Sequence, residues 1–138
     1  MIRIVRNILI AFGAFYFSLW TAPLFSWPFD RLNRHFTYSD NLVSAVMMGV
    51  MISMGRAVSA ILAAAIVYMS ADSERPERWA YIVAALYAMD ASVRYFRRNV
   101  PPTVGDRLWR GVDLLFPAIA CVIGAIVIAH YRSKKANS

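Results

Sequence analysis

Arg56 and Asp90 carry charges deep inside long apolar runs. Arg56 is the only charged residue between Leu42 and Met69, and Asp90 lies inside the apolar run 79–96. A charge near the middle of a bilayer costs from about 2.5 to more than 10 kcal/mol unless it is paired or hydrated. We therefore expect each of these side chains to have a partner within the protein.

The spacing of the two charges predicts that they pair with each other. Arg56 lies about 13 residues before Met69, and Asp90 lies about 11 residues after Trp79, so both are about 16–20 Å from the same face of a bilayer. Adjacent antiparallel helices would bring them to similar depth, and Arg94 competes for Asp90 one turn further along. Such a pair is either part of an ion or proton pathway or a structural clamp between two helices.

Four apolar runs are long enough to position these charges. The chain of 138 residues is 59% hydrophobic and only 17% charged. The runs cover 8–25, 42–69, 79–96 and 111–131, each about 27 Å or longer as a helix, against a hydrocarbon core of about 30 Å. The sequence predicts one all-α domain over 1–138, a polytopic membrane bundle of four transmembrane helices with short connectors. The run 79–96 is the weakest candidate because it contains two charges.

The first connector has helical periodicity of its own. Phe29, Leu32 and Phe36 recur at helical spacing with charged residues between them, which favours a short interfacial helix over 28–37. An irregular loop with aromatic anchors is the alternative.

Small residues recur at four-residue spacing along three of the runs. In a bilayer, helices associate where small side chains permit close approach of their backbones. The pattern predicts packing faces, within one chain or between chains, that include Gly49, Ser53, Ala57, Ala84, Ala88 and Gly124.

Arginines concentrate around the third connector. The functional interpretation is a contact with anionic lipid headgroups or an acidic partner, and the alternative is simple anchoring of helix ends at the headgroups. The residues concerned are Arg94, Arg97, Arg98, Arg107 and Arg110.

The net charge of +7 comes without a nucleic-acid recognition motif, so no nucleic-acid binding is predicted. With four spans, the Lys and Arg residues divide equally between the two faces, about seven on each, and leave the orientation undecided.

Residues for catalysis or metal binding are sparse. The two histidines, His35 and His130, fall on opposite faces of the four-span arrangement, and Cys121 is the only cysteine. The sequence contains no metal-ligand spacing, catalytic triad or phosphate-binding loop. We therefore predict no enzyme activity, no metal and no cofactor.

The layout of the chain suggests two functions. In its small size, several short spans and basic tail (Arg132, Lys134, Lys135), it resembles phage holins and small accessory subunits of membrane complexes. We predict an interaction or assembly subunit in a bacterial inner membrane, in contact with anionic lipid and with either its own copies or a larger membrane protein. The alternative is a self-associating, holin-like pore or ion or proton pathway with Arg56 and Asp90 in the bundle interior. The excess of arginine over lysine is typical of a GC-rich bacterial or phage genome.

Overall fold

The chain folds as four long helices. A computed structural model describes residues 1–37, 41–97 and 104–136. Its helices are α1 (Ile2–Asn33), α2 (Leu42–Ser70), α3 (Glu77–Arg97) and α4 (Val104–Ala136). All elements in these ranges are helical, so the predicted all-α class is confirmed.

Three of the described helices are long and apolar enough to cross a membrane. They are α1, α2 and the part of α4 from Arg107 to Lys135. The 21-residue helix α3 is not among them. Its sequence contains Asp90 and Arg94, which lower its hydropathy where the other helices are apolar.

The first helix is longer than the apolar run that predicts it. It continues through Pro23 and Pro28 to Asn33, so the separate interfacial helix predicted over 28–37 is replaced by the last turns of α1. Each proline removes one backbone hydrogen bond, and the helix continues past both of them. Ser26 Oγ also donates to the Pro23 carbonyl (3.0 Å).

Contacts at the ends of the helices show that consecutive helices run antiparallel. Arg6 Nη2 lies 3.3 Å from Asp72 Oδ2, which joins the start of α1 to the connector between α2 and α3. The Arg132 guanidinium lies 5.6 Å from the centre of the Tyr68 ring, which joins the ends of α2 and α4. We call this side of the bundle the Asp72 end and the opposite side, where α1 terminates, the Asn33 end.

Helices α2 and α3 form the centre of the bundle. Each contacts both α1 and α4, whereas α1 and α4 lie on opposite sides of this pair and make no contact with each other among the described residues. Helices α2 and α4 run parallel and pack closely. A Cβ added to Gly49 would lie 2.7 Å from the Trp109 carbonyl oxygen, and one added to Gly124 would lie 3.2 Å from Ile61 Cγ2.

The core consists mainly of small side chains. Its largest members are Phe15 and Tyr87, which meet edge to face with ring centres 5.1 Å apart. Around them lie fully or almost fully buried residues from all four helices: Ala11, Ala14, Ala60, Ala63, Ala64, Val67, Ala80, Val83, Ala84, Cys121 and Ala125. Alanine permits close helix approach, so this alanine-rich core fits the packing expected of helices in lipid.

Candidate functional site: a charged cluster between the helices

Arg56 forms its ion pair with α4. Its Nη2 lies 2.7 Å from Asp113 Oδ1 and 2.9 Å from Asp113 Oδ2, so one guanidinium nitrogen donates to both carboxylate oxygens. The two side chains are only 22% and 20% exposed. Arg56 lies near the middle of α2, about 21 Å from either end, and α4 passes directly beside it.

The predicted Arg56–Asp90 pair is therefore wrong in its partner. Asp90 instead pairs with Arg94, one turn further along α3. Asp113 is the third residue of the apolar run 111–131, whereas α4 begins at Val104 and carries Asp113 about 14 Å into the helix. Because α2 packs far more extensively on α4 than on α3, the carboxylate that meets Arg56 comes from α4.

Arg110 completes the group of charged side chains. Its Nη1 is buried and has no hydrogen-bond partner among the described residues, while its guanidinium lies 5.4 Å from the centre of the Trp109 ring. We call the five residues Arg56, Asp90, Arg94, Arg110 and Asp113 the charged cluster. They come from α2, α3 and α4 and lie toward the Asn33 end.

Two cavities adjoin the charged cluster. The first, of about 170 Å³, lies between α2, α3 and α4, and its polar lining comprises Arg56, Arg94, Tyr95, Trp109, Arg110 and Asp113. The second, of about 490 Å³, lies between α1, α2 and α3, and its charged lining comprises Asp30, Arg56, Asp90 and Arg94. Although Arg56 and Asp90 are not paired, they thus line one cavity.

A layer of hydroxyl groups continues from the cluster toward the middle of the bundle. Ser18 Oγ donates to the Phe15 carbonyl (2.6 Å) and also hydrogen-bonds to the Tyr87 hydroxyl. Thr21 Oγ1 lies 3.5 Å from Ser59 Oγ. These bonds give the buried hydroxyls partners and tie α1 to both α2 and α3.

A second polar contact fastens the Asp72 end. Asn7 is 2% exposed; its Nδ2 donates to the Asp72 carbonyl (3.2 Å), and its Oδ1 accepts from the Asp72 N–H (3.1 Å). Sequence reasoning missed both Asn7 and the pairing role of Asp113. The available signal for Asn7 was an amide among apolar residues, which needs a partner once it is buried.

The predicted packing residues lie mostly inside the bundle. Gly49, Ser53, Ala57, Ala84 and Gly124 are buried, and Ala88 is half-buried. These small residues face neighbouring helices of the same chain.

The predicted arginine contacts do not gather at one place. Arg94 and Arg110 line the first cavity, whereas Arg97 and Arg107 are exposed. Arg98 lies outside the described residues.

The arrangement is suited to holding charge and binding an anionic group. Three guanidinium groups and two carboxylates leave the cluster with an excess of one positive charge. The described part of the chain contains no group of three His, Cys, Asp or Glu side chains that could hold a metal ion. Cys121 is fully buried, and its thiol is directed at the Ala80 carbonyl (Sγ to O, 3.6 Å).

Comparison with known proteins returned no relative: no protein-family model, curated protein or solved structure matches this chain.

Proposed function

We propose that this chain is a small, non-catalytic integral membrane protein whose four helices all cross the bilayer. In this proposal it acts as an interaction subunit, and the outer face of α1 docks on a transmembrane helix of a partner protein. The observation that carries the proposal is the exposure of Tyr16 and Trp20 at mid-helix on that face, 61% and 83% respectively.

The surroundings of α3 support its crossing despite its lower hydropathy. With 21 residues it is about 32 Å long, close to the thickness of the hydrocarbon core. Its charged side chains, Asp90 and Arg94, pair with each other and line the second cavity, with 31% and 44% of their side-chain surface exposed. A transmembrane helix tolerates charges that are paired or that line a hydrated cavity.

The polar groups at the Asp72 end allow the depth of each residue in the bilayer to be estimated. We call this depth scale the depth frame. If Asn7, Asp72 and His130 lie at one headgroup level, a hydrocarbon core of about 30 Å extends roughly 20 residues along each helix. It then ends near Trp27 on α1 and near Arg110 on α4. Tryptophan at this level is typical of a membrane interface.

The outer face of α1 carries tyrosine and tryptophan away from the membrane interface as well. It carries an exposed stripe with one large side chain per helical turn: Phe12, Tyr16, Trp20, Leu24 and Trp27. In the depth frame, Tyr16 lies about 14 Å and Trp20 about 20 Å from the Asn7 level, in the middle of the hydrocarbon core. Tyrosine and tryptophan favour the headgroup region because their polar groups need partners.

Lipid chains leave these polar groups unsatisfied. No hydrogen bond joins the Tyr16 hydroxyl or the Trp20 indole to the described part of the chain. An unsatisfied polar group costs about 1–3 kcal/mol in an apolar environment. A partner helix that offers a hydroxyl or carbonyl acceptor removes this cost. Tyrosine and tryptophan are also the side chains that most often dominate the free energy of protein association.

The outward face of α4 provides a contrast. Its exposed large residues at mid-helix are aliphatic, namely Leu115, Ile119, Ile123 and Ile126. Lipid satisfies such a surface, and a second copy docking through it would offer Tyr16 no acceptor. This contrast favours a different protein as the occupant of the α1 face.

The alternative function, a self-associating pore or proton pathway, has one observation in its favour. The second cavity, lined by Arg56 and Asp90, gives the bundle a polar recess. Toward the Asp72 end, however, α2 continues with fully buried Ala63, Ala64 and Val67. Within the described residues, the polar groups of one chain therefore do not continue from end to end.

Native mass spectrometry of the tagged protein, released from its own membranes in mild detergent, tests the proposal. We expect a complex of defined stoichiometry with a second membrane protein. The double variant Tyr16→Leu/Trp20→Leu should reduce its yield about tenfold or more, since it removes two polar contacts and two rings. The control variant Ile119→Ala/Ile123→Ala on α4 should retain the complex.

Site-specific photo-crosslinking locates the contact. Benzoylphenylalanine in place of Trp20 should crosslink to a transmembrane peptide of the partner, whereas the same group in place of Ile123 should not. A homo-oligomer in place of the hetero-complex would overturn the interaction role and support the pore. A complex that survives the α1 double variant would overturn the docking face.

A further inference from the structure

We propose that the first cavity, between α2, α3 and α4, binds the singly charged phosphodiester of an anionic lipid headgroup. This inference rests on the membrane insertion proposed above, but it concerns a different surface from the α1 docking face. The observation behind it is the buried Nη1 of Arg110, which hydrogen-bonds to no described group.

The charges around the cavity leave one positive charge unbalanced, so they favour a ligand with a single negative charge. Arg56 is neutralised by Asp113 and Arg94 by Asp90. Arg110 has no ion pair within the described residues, and its partial stacking on Trp109 leaves its charge in place. A partly desolvated guanidinium requires a counter-charge, and one monoanion completes the balance.

The chemistry of the lining favours a phosphate. Guanidinium groups bind phosphate oxygens through two parallel N–H donors, and three of them, from Arg56, Arg94 and Arg110, line this one cavity of about 170 Å³. Arg56 keeps further N–H donors after its ion pair, because a guanidinium has five. The cavity can therefore surround an oxyanion on several sides.

The position of the cavity favours a lipid as the source. In the depth frame given above, Arg110 lies about 30 Å from the Asp72 end, at the level of the opposite headgroups. Tyr95 and Trp109 also line the cavity, and these side chains are typical of the membrane interface. Basic recesses between transmembrane helices at this level are suited to anionic headgroups.

A ligand titration monitored by thermal unfolding tests the inference. The full chain, purified in dodecyl maltoside, is titrated with phosphatidylglycerol, with phosphatidylcholine and with glycerophosphoglycerol, which is the anionic headgroup without acyl chains. We expect phosphatidylglycerol to raise the unfolding temperature saturably and phosphatidylcholine not to do so. Glycerophosphoglycerol binding as tightly as the lipid would assign the same phosphodiester site to a soluble ligand.

Two variants locate the binding. Arg110→Gln removes the unpaired charge and should weaken phosphatidylglycerol binding about tenfold or more, as expected for loss of a charged hydrogen bond. Ala91→Leu retains every charge but fills the cavity, which Ala91 lines, and should also weaken binding. Arg107→Gln, at an exposed position of the same helix, is the matched control and should bind as wild type.

The contradicting results are specific. Equal stabilisation by phosphatidylcholine, no response of the wild type to any of the three ligands, or unchanged binding by both Arg110→Gln and Ala91→Leu would overturn the site. The variant Tyr16→Leu/Trp20→Leu should bind phosphatidylglycerol normally. Failure of the α1 docking face and failure of the lipid site are thereby distinguished.

Discussion

Arg56 determines how the polar residues of the bundle are arranged. Its guanidinium donates to both oxygens of Asp113 at 2.7 and 2.9 Å, and both side chains are about four-fifths buried. Removing one partner leaves the other as an uncompensated charge in surroundings of low polarity, which is the costly situation for a buried ion pair. The pair therefore holds α2 and α4 in a fixed register.

A double-mutant cycle on this pair should show strong coupling. We expect Arg56→Gln or Asp113→Asn alone to lower the free energy of unfolding by about 3 kcal/mol, since each leaves the other charge unpaired. The double variant Arg56→Gln/Asp113→Asn should lose much less than the sum of the two. The measurement is unfolding of the purified protein in mixed micelles.

The matched control for this cycle uses Asp90. The coupling between Arg56→Gln and Asp90→Asn should be clearly weaker than that between Arg56→Gln and Asp113→Asn, because Arg56 and Asp90 line one cavity but do not pair. Strong coupling of Arg56 to Asp90, together with additive losses for Arg56 and Asp113, would show that Arg56 pairs with Asp90 and not with Asp113.

The sequence predicts that Arg56 needs a carboxylate but does not specify which one. Depth counting from the second connector made Asp90 the natural choice, because it assumed that α2 pairs with the next helix along the chain. The choice of partner depends on which helix α2 packs against and on where α4 begins. Both properties arise from the packing of the whole bundle, which local composition does not record.

At the scale of the helices, Gly55 marks a close approach between α1 and α2. A Cβ at this position would lie 2.5 Å from the backbone of Ser26. The four-residue ladder through Gly49, Ser53 and Ala57 predicted one packing face of α2, and these residues are buried. Gly55 lies on another face of α2, toward α1, where Ala14, Ser18, Ala22 and Ser26 also recur at four-residue spacing. The packing faces predicted from the sequence do not include α1, so Gly55 is not among them.

Gly55→Ala should therefore push α1 away from α2. We expect a loss of about 1–3 kcal/mol in the free energy of unfolding, as for other overpacked sites. Gly13→Ala is the control, because a Cβ at Gly13 meets nothing within 4 Å and alanine is the better helix former. Thermal unfolding of the two variants side by side provides the measurement. Equal stability of both variants would contradict the close approach of α1 and α2.

The bounds of the helices were easier to predict than their contacts. The run 42–69 predicts α2 (Leu42–Ser70) almost to the residue, because Asn41 caps the helix where the apolar sequence begins: its Oδ1 accepts from the Ser44 N–H (2.8 Å). Helices α1 and α4 extend beyond their apolar runs because polar ends of a helix need not lie in lipid. Hydropathy therefore marks the span and not the full helix.

At the scale of the whole molecule, both proposals depend on the up-down-up-down arrangement across a bilayer. The Asp72 end carries the start of α1, the second connector and the end of α4, and it is held by the Asn7–Asp72 hydrogen bonds and the Arg132–Tyr68 contact. The first connector and the start of α4 lie at the Asn33 end, beside the charged cluster. If α3 did not cross the bilayer, α4 would begin on the Asp72 side and end on the Asn33 side, which is the reverse of this arrangement.

The most direct test is the sidedness of three exposed positions. Single cysteines replace Thr37, Ser73 or Ser133 in a Cys121→Ala background, and a membrane-impermeant maleimide is applied to intact cells and to lysed membranes. In the four-span bundle, positions 73 and 133 react from one side of the membrane and position 37 from the other. Positions 73 and 133 reacting from opposite sides would contradict the four-span bundle, and with it the placement of the charged cluster.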